Sequence, residues 1–412
     1  MKLYNSVGTR STASQMFGQV LALGLTFSSA LSVVSADWSQ WRGPNFNGSS
    51  PEKGLPSHWS KDKPVWVLDM PGPSASTPII HGDHLFTSTV NEGDKTLHAI
   101  CLDRKTGKVI WDNKTGDGIR RDDMSNFSAP SPVVDDQRAF FFYGNGTLVA
   151  FDHAGKELWS QSITKEYGDF AFQWTFSSSP LLFKNKLYLE ILQRDVPVHG
   201  KGKQGAESFI LALDPATGKT LWRQLRPNDA VAESKEAYST PMPYEDKGRT
   251  QILISGGDCL TGHDPETGKE LWRWGTWNPE KIGHWRLVPS PIATAGIVLA
   301  CAPKGDPIYA IKADLTGKLD DSAITWKSDK RVVSSDVPTP AVYDRDFFIL
   351  SDGKRDLSRV DPKTGAIKWT VEVPSRKRLE ASPTVADGKV YFMNFGGEVT
   401  VASAEKPEII DT

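Results

Sequence analysis

The sequence predicts an all-β fold, a β-propeller of seven or eight four-stranded blades. Three observations support this prediction. A hairpin motif recurs about every 50 residues, a Ser/Thr-Pro dipeptide opens each unit, and no helical hydrophobic period accompanies them in the 412 residues. A strand-built repeat of this length is typical of a propeller or a β-solenoid rather than of separate domains. Four predicted strands per unit favour the propeller.

The recurring hairpin is clearest at residues 210–222. After the apolar run 210–213, Asp214 caps the turn and Gly218 supplies the residue with positive φ. Trp222 then places a large apolar side chain on the returning strand. We interpret the matching residues of all copies as structural. They are Asp103, Gly107, Trp111, Asp152, Trp159, Asp214, Gly218, Trp222, Asp264, Gly268, Trp272, Asp361, Gly365 and Trp369.

The dipeptide that opens each unit predicts the innermost strand, which would line the central channel. Proline lacks an N–H group and therefore suits the first residue of a strand. Seven openings are visible, and the repeat length fits seven or eight blades. Residues 64–70 contain Trp66 but have no hairpin before them, so we predict that they form the outer strand of the last blade and close the ring. The openings are Thr77-Pro78, Ser131-Pro132, Ser179-Pro180, Thr240-Pro241, Ser290-Pro291, Thr339-Pro340 and Ser382-Pro383.

The chain divides into three predicted segments. Residues 1–36 have a basic start, an apolar run and the small-residue cleavage site Val34-Ser-Ala36, which together predict a signal peptide. Residues 37–63 are predicted to be an N-terminal loop segment pinned by Trp38 and Trp41, and residues 64–412 a single propeller domain. We therefore expect an exported, periplasmic or extracellular monomer with no transmembrane segment in the mature chain.

Charge and cysteine content narrow the functional classes. The net charge is −2, and the absence of a basic patch argues against nucleic-acid binding. Cys101, Cys259 and Cys301 all lie in strand-like runs. We expect them to be buried small apolar residues, while a disulfide between two of them stays open as an alternative.

The motif Asp-x-x-Thr-Gly-x-x-x-Trp, as at Asp361, Thr364, Gly365 and Trp369, resembles the pyrroloquinoline-quinone (PQQ)-type propeller repeat. Quinoprotein dehydrogenases and the outer-membrane assembly lipoprotein BamB share this repeat. The resemblance covers roughly residues 64–404.

Two further stretches resemble exported propeller proteins that are abundant in planctomycete-type bacteria. They are the opening Trp41-Arg-Gly-Pro-Asn45 and the block at residues 285–291. Most proteins of that group have no assigned activity, so this resemblance adds to the fold prediction and not to a function.

The resemblance implies two functions. A quinoprotein dehydrogenase would bind the quinone over a calcium ion in the channel, stack a disulfide of adjacent cysteines on it and use an aspartate as base. This sequence has no adjacent cysteines and no matching acidic motif. Our hypothesis is an exported, non-catalytic binding or scaffold protein of the cell envelope, BamB-like, with a protein or polymer partner. The alternative is a PQQ-dependent dehydrogenase that oxidises an alcohol or a sugar; PQQ and Ca²⁺ are implied by resemblance alone.

The segments before the inner strands are expected to meet at the channel mouth. We assign no catalytic residue and no metal ligand, and we regard polar, charged and aromatic residues of these segments as candidates for a recognition surface. The alternative is that charged pairs brace adjacent blades and that Trp174 and Trp285 plug the channel. The candidates are Arg121, Asn126, Trp174, Tyr238, His284, Trp285, Arg286, Asp336, Arg378 and Glu380.

Overall fold

Residues 37–412, which the computed structural model describes, form seven antiparallel sheets that follow one another along the chain. The predicted signal peptide, residues 1–36, lies outside the described residues. Within each sheet the strands pair antiparallel with their sequence neighbours, except for a short fifth strand that joins the fourth sheet in parallel orientation. The all-β propeller prediction is confirmed, with seven sheets that we call blades 1 to 7.

Blades 1 to 4 contain the first sixteen strands. Blade 1 has β1 (Ile79–His81), β2 (His84–Asn91), β3 (Thr96–Asp103) and β4 (Val109–Asp117). Blade 2 has β5 (Val133–Val134), β6 (Arg138–Phe142), β7 (Thr147–Asp152) and β8 (Glu157–Ser162). Blade 3 has β9 (Leu181–Phe183), β10 (Lys186–Ile191), β11 (Phe209–Leu213) and β12 (Thr220–Leu225). Blade 4 has β13 (Met242–Asp246), β14 (Arg249–Gly256), β15 (Cys259–His263) and β16 (Glu270–Trp274).

Blades 5 to 7 complete the fold. Blade 5 has β17 (Ile292–Thr294), β18 (Ile297–Cys301), β19 (Ile308–Lys312) and β21 (Ile324–Lys327), while the short β20 (Gly317–Lys318) joins blade 4. Blade 6 has β22 (Ala341–Tyr343), β23 (Asp346–Ser351), β24 (Asp356–Val360) and β25 (Ile367–Glu372). Blade 7 has β26 (Thr384–Ala386), β27 (Lys389–Met393), β28 (Val399–Ser403) and β29 (Ile409–Asp411). Helical segments are α1 (Ile163–Tyr167) and the 3₁₀ turns Ala232–Lys235 and Asp321–Ala323.

The turn between the third and fourth strands of a blade is held by its aspartate. Asp103 Oδ1 accepts hydrogen bonds from the Thr106 amide and hydroxyl, each at 2.7 Å. Gly107 follows with φ of 69°, where an L side chain would be strained. A Cβ atom added to Gly107 would also lie 2.5 Å from the Trp66 ring. Glycine is therefore required both by the turn and by the indole that covers it.

The repeat tryptophans join each blade to the next. The indoles of Trp111, Trp159, Trp222 and Trp326 lie over the turn glycine of the following blade, and three of them donate their N–H to a carbonyl of that turn. Trp111 donates to His153 at 3.0 Å, Trp159 to Pro215 at 3.0 Å and Trp326 to Pro362 at 2.7 Å. These contacts satisfy the indole N–H, which is the requirement for burying a tryptophan between two sheets.

Trp272 departs from this pattern because the turn of blade 5 is longer. Its indole N–H donates to Gln251 Oε1 of the same blade at 2.7 Å. The lengthened turn instead runs beside the outer strand of blade 4, where Gly317 pairs with Trp272 in parallel orientation.

The prediction that residues 64–70 form the outer strand of blade 7 is wrong. The C-terminal strand β29 takes that place, pairing with Val401 and Ala402. Residues 64–70 join none of the sheets. Trp66 nevertheless contacts blade 1 as the other indoles contact theirs, donating to Arg104 O at 3.0 Å. The sequence pattern therefore identifies Trp66 as a repeat tryptophan, but it does not show which strand completes blade 7.

Six clusters of buried apolar residues hold the blades together, one between each consecutive pair from blades 1–2 to blades 6–7. The cluster between blades 2 and 3, for example, includes Phe140 and Phe142 on one side and Leu187 and Leu189 on the other. Among residues 37–412 no seventh cluster joins blade 7 to blade 1.

A strap formed by residues 38–50 crosses one end of the channel. The strap makes hydrogen bonds to the inner strands of blades at both ends of the chain. These bonds pair Trp38 with Ile80, Ser39 O with Val134 N, Gln40 with the Leu182 backbone, Asn47 O with Val342 N, and Gly48 O with Val385 N.

Arg42 anchors the strap from inside the fold. Its guanidinium donates to Pro340 O at 2.8 Å and Pro383 O at 3.0 Å, so it links blades 6 and 7. Burial without a carboxylate partner lowers the pKa of Arg42 to about 9. Gly48 makes room for the guanidinium, since an added Cβ would lie 2.0 Å from one of its nitrogens.

Replacing Trp222 with alanine tests the role of the blade-joining indoles. Trp222 packs on Gly268 of the next blade, where an added Cβ would lie 2.6 Å from the ring. We expect Trp222→Ala to lower the free energy of unfolding by about 3 kcal/mol in urea titrations, the low end for a large aromatic because the side chain is only partly buried. Leu221→Ala, on the exposed face of the same strand, should cost less than about 1 kcal/mol. Equal effects of the two changes would contradict the role assigned to the indole.

Candidate functional site

The central channel is a cavity of about 590 Å³ lined by residues from every blade or its preceding segment. Trp41 of the strap closes one end. The segments that precede the inner strands surround the other end, the mouth. Their side chains at the mouth include Met124, Trp174, Arg286 and Glu380. A ligand would therefore enter from this end.

A chain of hydrogen bonds, which we call the hydroxyl relay, runs around the channel wall. The backbone N–H of six of the seven opening residues donates to the hydroxyl of the next blade's opening residue, at 2.8 to 3.0 Å. Each hydroxyl keeps its own hydrogen available for donation. The relay comprises Thr77, Ser131, Ser179, Thr240, Ser290, Thr339 and Ser382, in that order. It has six bonds and is open between Ser382 and Thr77 in the described part of the chain.

The charged part of the mouth is compact and mutually compensated. Arg378 Nη1 lies 3.0 Å from Glu380 Oε1, and Arg378 also lies over the Phe395 ring at 4.4 Å from its centroid. Burial raises the pKa of Glu380, and the positive charges of Arg378 and Arg286 oppose the increase. Arg286 in turn lies 3.6 Å from Glu233 Oε1. The mouth therefore presents both signs of charge, close together.

The aromatic part of the mouth rests on a buried carboxylate. Tyr238 donates its hydroxyl hydrogen to Glu236 Oε2 at 2.6 Å, and the same hydroxyl accepts from the Trp174 amide at 3.1 Å. Arg194 forms an ion pair with Glu236. Burial raises the pKa of Glu236 even though these partners act against it. The network fixes the backbone of Trp174 and leaves its indole facing the channel.

Four of the ten candidate residues line the channel: Trp174, Tyr238, Arg286 and Glu380. Arg378 joins them through its ion pair with Glu380. The other five lie elsewhere and are described in the next paragraph.

The remaining candidates have local roles. Arg121 pairs with Glu92 at 3.1 Å, and Asn126 Oδ1 accepts from the Ser128 amide at 2.9 Å. Asp336 accepts from the Lys304 amide at 2.9 Å and lines a separate pocket between blades 5 and 6. His284 is exposed, and Trp285 packs against the cluster between blades 4 and 5.

Sequence reasoning missed several channel residues. The sequence predicts that Trp41 pins a loop, and it indicates the opening Ser and Thr residues as the starts of inner strands. Neither prediction places these side chains in the channel. The spacing of the Ser/Thr-Pro dipeptides carried the signal, because identical hydroxyls at the start of every inner strand must face one another around a ring. Met393 and Phe395 of blade 7 also line the channel, and no pattern singled them out.

Glu190 is buried behind the channel wall, and burial favours the protonated form of its carboxyl group. Ser239 Oγ has one hydrogen but lies 2.7 Å from Glu190 Oε1 and 2.6 Å from Ser255 O. A protonated Glu190 that donates to Ser239 satisfies both contacts. Burial raises the pKa of Glu190 to about 8, against the opposing influences of Ser239 and Arg226.

Fold and site together define a propeller of the PQQ-repeat type, with seven blades within residues 37–412 and with one closed and one open channel end. The sequence matches the family described as "Outer membrane protein assembly factor BamB" over residues 57–188 and 206–409, and the chain belongs to this family.

Individual relatives include enzymes. A polyvinylalcohol dehydrogenase of Sphingopyxis sp. (strain 113P3) is 28% identical over 398 residues, 86% of this chain and 54% of that protein. A europium-containing methanol dehydrogenase has a TM-score of 0.64 at 12% identity, covering 91% of this chain and 84% of that one. BamB from Moraxella catarrhalis has a TM-score of 0.52 at 15% identity, covering 81% and 96%.

The chain spans 35% and 54% of the lengths of the two polyvinylalcohol dehydrogenases it matches. The structural likenesses have low identity and establish the fold alone. No helix within residues 37–412 is long and apolar enough to span a membrane.

The channel does not fit the calcium-bound quinone that the dehydrogenase resemblance implies. Calcium takes six to eight oxygen ligands, usually with several carboxylates. Among the described residues that line the channel, Glu380 is the one carboxylate, and it is already paired with Arg378. No group of three or more His, Cys, Asp or Glu in the described ranges could hold a metal ion.

The cysteines do not supply the implied disulfide platform either. Cys101, Cys259 and Cys301 are free and buried in β3, β15 and β18. Burial raises the pKa of Cys101 and of Cys301 to about 12, so these thiols remain protonated near neutral pH.

The raised pKa of Glu190 predicts a specific dependence of stability on pH. The pKa is about 8 in the folded protein and 4.5 for the free side chain, so the folded state retains a proton that the unfolded state releases. Stability should therefore fall as pH rises from about 4.5 to 8, by on the order of 2–4 kcal/mol. We expect Glu190→Gln to abolish this loss in urea titrations at pH 5, 7 and 9. Glu372→Gln, at an exposed strand end, should leave the loss unchanged, and persistence of the loss in Glu190→Gln would contradict the assignment.

Proposed function

We propose that the protein is an exported binding and scaffold protein of the cell envelope that receives part of a protein or polymer partner at its channel mouth. The observation that carries this proposal is that the polar groups lining the channel already have hydrogen-bond or ion-pair partners in the protein. The wall hydroxyls accept bonds from neighbouring blades, and the one lining carboxylate is neutralised by arginine. Such a channel offers hydroxyl donors, indoles and a charged pair, which suit recognition.

Membership of the BamB family supports the envelope location and the scaffold role. The name of that family describes assembly of outer membrane proteins. The predicted signal peptide and the lack of a membrane-spanning helix among residues 37–412 agree with an exported domain. Loops on a rigid propeller are a common way to build a binding surface, because the sheets fix the positions of side chains drawn from distant parts of the chain.

A PQQ-dependent alcohol dehydrogenase is the second candidate. It is favoured by the polyvinylalcohol dehydrogenase relative and by the likeness to a methanol dehydrogenase. Bound PQQ would supply the two-electron oxidation of the alcohol. The ligand set described above does not match this cofactor, so we derive no catalytic step from it.

A cofactor retention experiment separates the two functions. The purified mature protein is mixed with PQQ and calcium and desalted, and the quinone absorbance of the protein peak is read. We expect no stoichiometric retention, because the channel lacks calcium ligands. An apo quinoprotein alcohol dehydrogenase treated in the same way provides the positive control.

Retention at one quinone per chain would overturn the scaffold proposal. Arg286→Ala would then show whether the quinone lies in the channel, and oxidation of polyvinyl alcohol with an artificial electron acceptor would test the activity. No retention, with a working control, leaves the binding function as the better account.

A further inference from the structure

The strap bonds the inner strands of five blades and passes by blades 4 and 5. In each of the five blades it bonds the residue that lies two positions after the opening proline. At blade 1 the two backbones exchange a pair of hydrogen bonds, from Trp38 N–H to Ile80 O and from Ile80 N–H to Trp38 O, each at 2.9 Å. The five bonded residues are Ile80, Val134, Leu182, Val342 and Val385.

Pro243 and Ala293 hold the same place in blades 4 and 5. Pro243 has no N–H group to donate. Ala293 pairs with Val298 one step from a two-residue turn, as Ile80 pairs with its own neighbour, so both residues turn their N–H and C=O away from the second strand of the blade. Among residues 37–412 these two groups of Ala293 form no hydrogen bond outside their own sheet. Ala293 therefore offers the same donor and acceptor that Ile80 offers to Trp38.

A pocket of about 320 Å³, which we call the strap pocket, lies beside Ala293. Residues of the strap form one wall, and residues of blades 3, 4 and 5 form the others. Its volume falls within the range of about 300–1,000 Å³ that is typical of ligand sites. The pocket can therefore hold one large side chain of a ligand whose backbone bonds Ala293.

Three aromatic side chains line the strap pocket: Phe46, Phe183 and Tyr244. Phe46 of the strap meets Phe183 of blade 3 edge to face, with 5.8 Å between ring centroids. The Tyr244 hydroxyl accepts a hydrogen bond from the Gly296 amide at 2.8 Å, which fixes the ring and leaves the hydroxyl hydrogen available to a ligand. Walls of this kind suit an aromatic ring, because aromatic pairs gain from edge-to-face and offset contacts.

Glu245 gives the strap pocket a hydrogen-bond acceptor. Its Oε1 atom accepts from the Thr250 hydroxyl at 2.9 Å and forms an ion pair with Lys184. The hydrogen bond from Lys184 lowers the pKa of Glu245, so the side chain is a carboxylate near neutral pH. Its Oε2 atom has no partner within the described part of the chain. An aromatic ring with a polar N–H or O–H group would satisfy this oxygen by a charge-assisted hydrogen bond.

We propose that the strap pocket binds a tryptophan or tyrosine residue in an extended segment of a partner polypeptide. The backbone of this residue pairs with Ala293 as Trp38 pairs with Ile80. Its ring enters the pocket, and the ring N–H or hydroxyl donates to Glu245 Oε2. The segment continues at blade 5 the interface that the strap already forms with five other blades. Main-chain hydrogen bonds then supply affinity, and the side-chain pocket supplies specificity.

This inference goes beyond the proposed function, because the strap pocket lies at the strap end of the channel and shares no lining residue with it. Retention of quinone in the channel would overturn the scaffold function and leave peptide binding at the strap pocket unaffected. Loss of peptide binding would likewise leave the quinone result unchanged. The two proposals can therefore fail separately.

The test uses the mature protein and a fluorescent peptide of sequence Gly-Ser-Thr-Trp-Thr-Ser-Gly. Fluorescence anisotropy gives the affinity, and hydrogen exchange gives the position of the contact. We expect a dissociation constant below about 1 mM and slower exchange of the Ala293 amide in the complex. A peptide with alanine in place of the tryptophan should bind at least tenfold more weakly. A peptide with N-methyl-tryptophan, which cannot donate to Ala293 O, should lose at least as much.

Two variants locate the contact on the protein. Ala293→Pro removes the N–H group at a place where blade 4 already has Pro243, and it should weaken peptide binding at least fivefold. Glu245→Ala removes the acceptor and should weaken binding at least tenfold. Glu266→Ala is the matched control, because it breaks an ion pair with Lys186 that lies outside the pocket, and it should alter the affinity less than twofold. Thermal melting of each variant shows that the fold is retained.

Four results would overturn the proposal. The first is no binding of the tryptophan peptide at about 1 mM. The second is unchanged affinity of either Ala293→Pro or Glu245→Ala. The third is slower exchange at the channel mouth without slower exchange at Ala293. The fourth is concentration-dependent dimerisation that Ala293→Pro abolishes, because the occupant of the strap pocket would then be a second copy of this chain.

Discussion

The amide-to-hydroxyl bonds of the relay are the constraint on which the channel depends. Each bond is about 2.9 Å long and joins the first residues of two neighbouring inner strands, so it fixes their separation at the channel. This geometry requires a short side chain with a hydroxyl group at the opening position. The proline that follows lacks an N–H group, so the strand begins without donating a hydrogen bond to its own sheet. The channel width follows from seven such residues, and larger side chains lie at the two ends of the channel.

The strap joins blades that the relay leaves unconnected, and it does so at the opposite end of the channel. A series of blades that contact only their neighbours has a stability close to a sum of blade and interface contributions. The strap connects blades 1, 2, 3, 6 and 7 directly and so removes part of this independence. Arg42 makes the connection at a cost in desolvation, visible in its lowered pKa, because its donors reach the carbonyls of two blades at once.

The sequence predicts those parts of the structure that depend on neighbours in the chain. The Asp214-to-Gly218 turn, the position of Trp222 and the proline at each strand start follow from short-range conformational rules, and they lead to the propeller. The place of Trp66 does not, because it depends on which strand completes the last blade about 340 residues later. Trp174 and Trp285 illustrate the same limit of short-range rules, because both precede an inner strand in the sequence. Only in the assembled ring does Trp174 line the channel while Trp285 packs between two blades.

Blade 7 joins the apolar and the charged parts of the channel mouth. Its side chains Met393 and Phe395 line the channel and are 46% and 54% exposed. The guanidinium of Arg378 lies over the Phe395 ring and also pairs with Glu380, the one carboxylate among the described residues that line the channel. A group that packs on Phe395 would therefore meet the same guanidinium that neutralises Glu380, so apolar contact and charge at this mouth depend on one side chain.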